Sequence, residues 1–321
     1  MTPVLVTGAH GFVGSALARH LEASGRPVRR AVREGEGSPD EVAVGDIGAT
    51  TDWRKALAGI DVVVHAAARV HQTDPRLARD VGAFRRVNRD GTVRLARQAL
   101  DAGVRRFVFL SSIKVNGDRT EPGRPFRAGD APAPADAYGT SKLEAEQALA
   151  DLARQGLEIV VIRPPLVYGP GVKANFRAML RWIASGRPLP LGSIHHNRRS
   201  LIALDNLVDF VATCLDHPHA VGRELLPSDG EDVSTAELLQ RAGRALHRPA
   251  RLVNVPIPLL RLLARGVGRP GWADRLCDSL QVDSSDARTR LGWSAPVPLD
   301  DALAETAHAL VAKAGASVGR R

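Results

Sequence analysis

Tyr138 and Lys142 stand four residues apart in Ala137-Tyr138-Gly139-Thr140-Ser141-Lys142, in a chain with only 2 tyrosines and 5 lysines. On a helix, positions i and i+4 share a face, which sets the ammonium beside the phenol. A free phenol titrates near about 10, and a neighbouring cation favours the phenolate, moving the group toward proton exchange with an alcohol near neutral pH. The same spacing arises by chance on amphipathic helices, so the pair needs companions. Phe107-Val108-Phe109-Leu110-Ser111-Ser112 supplies one, an apolar run that ends in two hydroxyls 26 residues before Tyr138. Open parallel sheets place their ligand groups at such strand ends, although a lone serine there is also an ordinary turn residue.

These side chains need a frame, and the N-terminus begins it. Pro3 to Thr7 reads as a short buried strand, followed by Gly8-Ala9-His10-Gly11-Phe12-Val13-Gly14 and an alanine- and leucine-rich helix from Ser15 to Ala23. Glycines at these places allow a tight turn, close approach to a pyrophosphate and close packing of helix on strand. The helix N-terminus adds free N–H groups and a favourable dipole. The glycine spacing is 3 and 3, not the 2 and 3 of the usual dinucleotide fingerprint. Further strands are expected near Val28 to Val32, Val42 to Val44, Val62 to His65, Phe107 to Ser111 and Glu158 to Arg163, with helical stretches between them. This alternation predicts an α/β fold, a Rossmann-like doubly wound parallel sheet. Residues 1–170 are expected to form the dinucleotide-binding domain, and residues 171–321 a smaller C-terminal α/β substrate lobe with some chain crossing back. Asp118 to Ala135, rich in Pro, Gly and Asp, reads as a loop leading into the Tyr138 helix.

Together the Gly8/Gly11/Gly14 loop, Ser112, Tyr138 and Lys142 resemble the extended short-chain dehydrogenase/reductase superfamily, in its UDP-glucose 4-epimerase-like branch of nucleotide-sugar epimerases and reductases. The resemblance runs along almost the whole chain, and it implies roles for further residues. Gly8, His10, Gly11, Phe12, Val13 and Gly14 would hold the cofactor, with Asp46 and Ile47 at the adenine, Ala66, Ala67 and Ala68 along the dinucleotide, and Pro165 and Val167 passing the nicotinamide. Tyr138 and Lys142 would serve both the cofactor and the reaction, with Ser112 as third catalytic residue and a substrate contact. Asn175, Phe176, Arg198 and Arg275 would hold the uridine and diphosphate of a UDP-sugar. The resemblance also implies a homodimer built from two long helices per subunit, near Phe84 to Ala102 and Tyr138 to Gln155. Ala145, Ala148, Leu149 and Leu152 offer an apolar face at helical spacing for that contact, or for the sheet.

Departures from the family pattern bear on the reaction. Many epimerases that hold NAD tightly end the second strand with an aspartate; this chain reads Val28-Arg29-Arg30-Ala31-Val32-Arg33. A guanidinium at Arg33 suits a ribose 2′-phosphate, so NADP(H) is the expected cofactor, with NAD(H) as the alternative. The Asp-Glu pair that serves sugar dehydratases is replaced by Ile113 and Lys114, which argues against elimination of water. Asn116 stands where a tyrosine is usual, as in members that act at C4 of UDP-linked amino sugars. The expected activity is reduction of a 4-keto (6-deoxy amino) sugar for surface polysaccharide, with UDP-hexose 4-epimerisation as the alternative. A non-enzymatic dinucleotide sensor is a distant third.

Composition narrows the partners. The formal net charge is +9 with 4% aromatic residues, and no basic run carries interleaved aromatics, so a polyanionic small ligand is expected and a nucleic acid is not. Cys214 and Cys277 are isolated, as in a reducing compartment. No signal peptide or membrane-spanning run is visible, which sets the expectation of a cytoplasmic enzyme without membrane insertion. His195-His196 and His217-Pro218-His219 lack further ligands at metal-binding spacing, so no metal is expected. The arginine- and leucine-rich stretch from Arg251 to Arg269 reads as an amphipathic helix packed in the C-terminal lobe, a membrane-surface helix being the other reading.

Overall fold

The computed structural model describes residues 3–35, 38–70, 80–266 and 270–318. The Val- and Phe-rich runs form strands buried on both faces, as parallel sheets demand: β1 (Val4–Thr7), β2 (Val28–Val32), β3 (Glu41–Ala43), β4 (Val62–His65), β5 (Arg106–Leu110) and β6 (Glu158–Ile162). They lie side by side in the order β3-β2-β1-β4-β5-β6, each pair parallel. Strand order therefore reverses between β1 and β4, the crevice where doubly wound sheets bind ligands.

Beyond β6 come β7 (Leu166–Tyr168) and β8 (Arg199–Ala203), which pair parallel in a second sheet. The chain then returns through β9 (Glu224–Leu225), a seventh strand beside β6, and adds β10 (Asp232–Val233) antiparallel to β8. The sequence reading found the first six strands to within a residue at each end and did not name β7 to β10. β9 has only 2 residues, too few for a periodic signal.

Helices cover both faces of the large sheet. The first are α1 (Phe12–Ala23) and α2 (Arg54–Leu57). Then α3 (Val81–Phe84) runs through a π-helical stretch, Arg85–Gly91, into α4 (Thr92–Asp101), and α5 (Ala137–Ala153) carries the tyrosine and lysine. The second half of the chain adds α6 (Ala174–Ala184), α7 (Leu204–Asp216), α8 (Thr235–Ala245), α9 (Ile257–Gly266), α10 (Pro270–Cys277), α11 (Ser285–Leu291) and α12 (Leu299–Val318).

Alternation along each strand divides the core. Val4, Val6, Val62, Val64 and Val108 meet Leu17 and Leu21 of α1 and Leu207, Phe210 and Val211 of α7. Leu5, Val63, Phe107 and Phe109 meet Leu95 of α4 and Ala145, Leu149 and Leu152 of α5. The apolar face of α5 is thus turned onto the sheet, and these side chains are not free to form a subunit contact. A third core, including Tyr168, Phe176, Leu180, Leu201, Leu239 and Leu260, holds the smaller lobe. α7 and β9 lie past residue 171 yet complete the large-sheet layer. Among the described residues no helix is long and apolar enough to cross a membrane.

Candidate active site

Tyr138 sits in the first turn of α5. Asp136 caps that helix, its Oδ1 accepting from the Gly139 N–H at 2.7 Å, and the Lys114 ammonium pairs with the same carboxylate. Lys114 belongs to the turn after Ser112, where Ser112 Oγ accepts from the Lys114 N–H at 3.3 Å. One acid therefore fastens the strand-end turn to the helix that carries the phenol, and Ser112 hydrogen-bonds Tyr138. Ile113 is buried and Lys114 is engaged, so the dehydratase positions hold no free acid. The Phe84 ring meets the tyrosine edge-on at 6.3 Å.

Lys142 is 1% exposed. Its ammonium donates to the Leu110 carbonyl at 2.7 Å and lies 4.4 Å from the centre of the Phe109 ring. Burial pulls its pKa down to about 7, opposed by the nearby Glu146 carboxylate. Desolvation pushes the Tyr138 phenol up to about 12; the Ser112 hydrogen bond opposes that rise and the Asp136 charge adds to it. In the free chain burial sets the direction of the phenol's shift, while the Lys142 ammonium is anchored at the end of β5.

Behind these groups lies a buried network that the sequence reading missed. Glu146 follows Tyr138 and Lys142 at the next four-residue step on α5, a spacing that was there to be read. It accepts from Ser111 Oγ, and Arg163 Nη2 reaches Glu146 Oε2 at 2.5 Å, with side chains 4% and 7% exposed. Arg163 Nη1 also donates to Asn116 Oδ1 at 3.1 Å. The ends of β5 and β6, the Asn116 turn and α5 are held in one cluster.

The glycine loop follows β1. Gly8 has φ +65°, and a Cβ there would stand 2.8 Å from the Ala67 nitrogen. A Cβ on Gly14 would stand 2.2 Å from the Gly8 carbonyl oxygen, so only glycine lets α1 turn back this tightly. α1 starts after Gly11 with no side-chain cap and no acid in its first turn, leaving its N–H groups for an anion. Phe12 and Val13 pack into the core from that turn. The adjoining strand end is braced by polar bonds: Ala67 N–H donates to Thr7 Oγ1 at 3.2 Å, and His65 bonds Thr7 at 2.7 Å and Thr92 at 3.0 Å. Burial, with the Lys142 charge, pulls His65 down to about 3. Asn88, in the π-helical stretch, bonds the Arg69 backbone in both directions and Ser141 Oγ. Ala66 and Ala68 are half-buried beside the loop. Ile47 sits against Gly91, where a Cβ would approach its Cγ2 to 2.4 Å. Pro165 is buried and Val167 half-buried, on a segment whose Pro164 carbonyl accepts from the Ile113 N–H at 3.0 Å.

Two adenosine-side residues differ from expectation. Arg33 Nε pairs with Asp46 Oδ1 at 2.8 Å, both side chains largely exposed. The guanidinium meant for a 2′-phosphate and the carboxylate meant for the adenine are engaged with each other. His10 bonds Glu41 at 2.9 Å, which places a second carboxylate beside the loop. The uncapped helix end, the glycine turn and the buried lysine fit a nicotinamide dinucleotide.

The family model described as NAD dependent epimerase/dehydratase family matches residues 4–225. The chain belongs to that family. It is an enzyme of the NAD-dependent epimerase/dehydratase type. Among the relatives of this epimerase/dehydratase chain, UDP-glucose 4-epimerase of Vibrio cholerae is 46% identical over 312 residues, covering 96% of this chain and 95% of the relative. The N-acetyl-alpha-D-glucosaminyl-diphospho-ditrans,octacis-undecaprenol 4-epimerase of Escherichia coli O157:H7 is 26% identical, covering 94% and 93%. A solved structure of MoeE5 in complex with UDP-glucose and NAD is 27% identical with TM-score 0.75, covering 97% of this chain and 99% of that one.

On the lobe side of this epimerase/dehydratase fold, Asn175 is exposed in the first turn of α6. Phe176 stacks on Tyr168 at 5.5 Å within the lobe core, so its ring packs inward. Arg198 is exposed; among the described residues its guanidinium donates only to the carbonyls of His195 and Asn197, at 3.3 and 3.1 Å, while its backbone N–H donates to Ser279 Oγ at 3.0 Å. Arg275 is exposed as well, its carbonyl accepting from Arg199 at 2.8 Å. Residues 279–282 run between these elements: Leu280 N–H donates to the Arg198 carbonyl at 2.9 Å, and Thr120 and Phe126 N–H groups donate to Ser279 and Gln281 at 2.8 and 2.9 Å. The loop after Ser112 is thereby stitched to the arginine-bearing segments of the lobe. That connection was invisible in the sequence, because the partners lie some 160 residues apart, as Thr120 and Gln281 do.

Proposed function

We propose that the protein is an NAD-dependent 4-epimerase of a UDP-linked hexose. The end-to-end likeness to the Vibrio cholerae enzyme carries this reading, and the meeting of Ser112, Tyr138 and Lys142 at one strand end supports it. The glycine loop and the first turn of α1 would hold the pyrophosphate, Ile47 and Asp46 the adenine side, Ala66 to Ala68 the middle, and Lys142 the nicotinamide ribose. Bound NAD would accept a hydride from C4 of the sugar and return it. Ser112 would hold the C4 oxygen while Tyr138 takes its proton as the hydride leaves, then gives that proton back on the second transfer. Arg198 and Arg275 would hold the diphosphate while the hexose turns.

The expected 4-keto-sugar reduction gives way to epimerisation, and the expected NADP(H) to NAD. The likeness to a UDP-glucose 4-epimerase and to a neighbour solved with NAD favours these readings, and the exposed Arg33–Asp46 pair engages the guanidinium on which the NADP(H) expectation leaned. A homodimer through the outer faces of α4 and α5 remains part of the proposal. A second reading, with the diphosphate carrying a polyprenol in place of uridine as in the Escherichia coli relative's name, is favoured by exposed leucines on α9.

The test is to incubate purified protein with UDP-glucose or UDP-N-acetylglucosamine, adding no reductant, and to follow the sugar by NMR. Interconversion of the C4 epimers with no net change in nicotinamide absorbance is expected. Absence of epimer together with NADPH oxidation by a 4-keto sugar would overturn the proposal.

A further inference from the structure

Residues 238–273 contain 7 arginines and no aspartate or glutamate, in a chain whose formal net charge is +9. Within this stretch α9 turns Leu260 and Ala264 into the lobe core and leaves Leu259, Leu262 and Leu263 exposed by 44%, 63% and 57%. At about 100° per residue, these three leucines share an arc of about 100° on the helix. Arg265 stands about 60° beyond Leu262, and Arg261 beyond that, so the leucine strip runs between the buried face and a cationic edge. Val253, just before the helix, is 48% exposed. Single exposed leucines are unremarkable, but three on one strip of one helix mark a surface that meets something apolar.

The charges indicate what that is. Arg261 is held by Asp278 at 2.8 Å and by Asp274, on α10, at 3.4 Å, so it adds no net charge to that edge. Arg248, Arg251 and Arg265 are exposed and have no carboxylate partner among the described residues. A leucine strip edged by the exposed Arg265, on a stretch that also carries the exposed Arg248 and Arg251, suits an interface with hydrocarbon beneath and anionic groups above. A second copy of the chain fits poorly, since a two-fold contact through this strip would bring each copy's arginines toward the other's. We infer that this face docks on an anionic lipid bilayer, with α9 lying in the plane of the surface, its leucines at the acyl boundary and its arginines at the headgroups. The helix has 10 residues, far short of a span, so the attachment is peripheral. The membrane-surface reading of this stretch, secondary at the level of sequence, gains its support from the outward leucines. The same leucines favour the polyprenol reading of the substrate, but the docking requires neither reading and is tested on the protein and vesicles alone.

The experiment is co-sedimentation of the full chain with vesicles of phosphatidylcholine alone or with phosphatidylglycerol. Binding to the anionic vesicles should be at least about tenfold tighter than to neutral ones and should weaken as salt rises. Leu262→Ser combined with Leu263→Ser should weaken it by about tenfold or more, with the circular dichroism spectrum and turnover of a soluble UDP-sugar unchanged. Arg265→Glu, at another exposed position, should reduce the preference for anionic lipid. Equal binding to both vesicles, no binding to either, or binding unaffected by the leucine and arginine changes would overturn the inference. So would a fall in mass by light scattering for the leucine variant, which would make the strip a contact between copies.

Discussion

The Lys142 ammonium donates to the Leu110 carbonyl at 2.7 Å, which fastens it to the strand that ends at Ser112 and not to the phenol four residues earlier on its own helix. Lysine and tyrosine thus share a helix face, with the ammonium anchored on β5. The lysine instead fixes the distance between α5 and β5, and so sets where Tyr138 stands relative to Ser112. With its pKa pulled to about 7, the ammonium can shed or regain its charge near neutrality.

Tyr138→Phe should abolish turnover, by about 100-fold at the least, while leaving cofactor affinity nearly intact. The ring still packs against Phe84, and only the transferable proton is lost. Steady-state rates and a cofactor titration on the same preparation check this. A rate within about threefold of the parent would remove Tyr138 from the proton-transfer role.

Glu146→Gln should destabilise the fold by about 3 kcal/mol or more, because it leaves the buried Arg163 guanidinium without its counter-charge. Denaturant melts will read the loss. Replacing both partners, Glu146→Leu with Arg163→Met, should recover most of it, since the desolvation of the two charges disappears together. Additive losses in the double variant would show that the pair is not coupled as the contact implies.

Acid should weaken the protein through His65. In the unfolded chain the imidazole titrates near 6.5, whereas in the fold burial holds it down to about 3. Above the first value it is neutral in both states and has no effect. As pH falls from 6.5 toward 3 the unfolded chain takes up a proton that the folded chain refuses, so stability is lost across that window, about 2 kcal/mol of it by pH 5. Comparing denaturation at pH 7 and pH 5 for the parent and His65→Gln isolates the term. The variant should be weaker at pH 7, having lost the Thr7 and Thr92 bonds, and should show a smaller drop on acidification.

The sheet, the glycine loop and the strand-end hydroxyls were legible because each rests on a local pattern: an apolar run, a glycine spacing, a serine at a strand end. Ser112 and Tyr138 meet as expected from their positions. What the sequence hid was decided by contacts between distant segments. The apolar stripe of α5 fits a sheet or a subunit equally well, and only packing against Phe107 and Phe109 chose the sheet. Phe176 could be read as a ligand contact until Tyr168 stacked on it. Arg33 looked available for a phosphate because Asp46, 13 residues later in sequence, gives no sign there that it folds back alongside.

That pair yields the most direct test of cofactor choice. In the parent, Asp46 neutralises Arg33, so NADH should bind at least as tightly as NADPH. Asp46→Asn removes the negative charge and leaves Arg33 free to meet a 2′-phosphate by a charge-assisted hydrogen bond, a change on the order of 1.5 to 3 kcal/mol, or roughly tenfold to hundredfold in favour of NADPH. Arg33→Ala in the same background should erase that gain, because the benefit runs through the guanidinium. If Arg33 instead covers the adenine face by stacking, its removal should weaken both cofactors alike and Asp46→Asn should shift neither preferentially. Titrating both reduced cofactors into the parent and the two variants, followed by fluorescence, separates these outcomes. A parent that already prefers NADPH would show that the Arg33–Asp46 pair opens when cofactor binds, and would return the balance to the reductase.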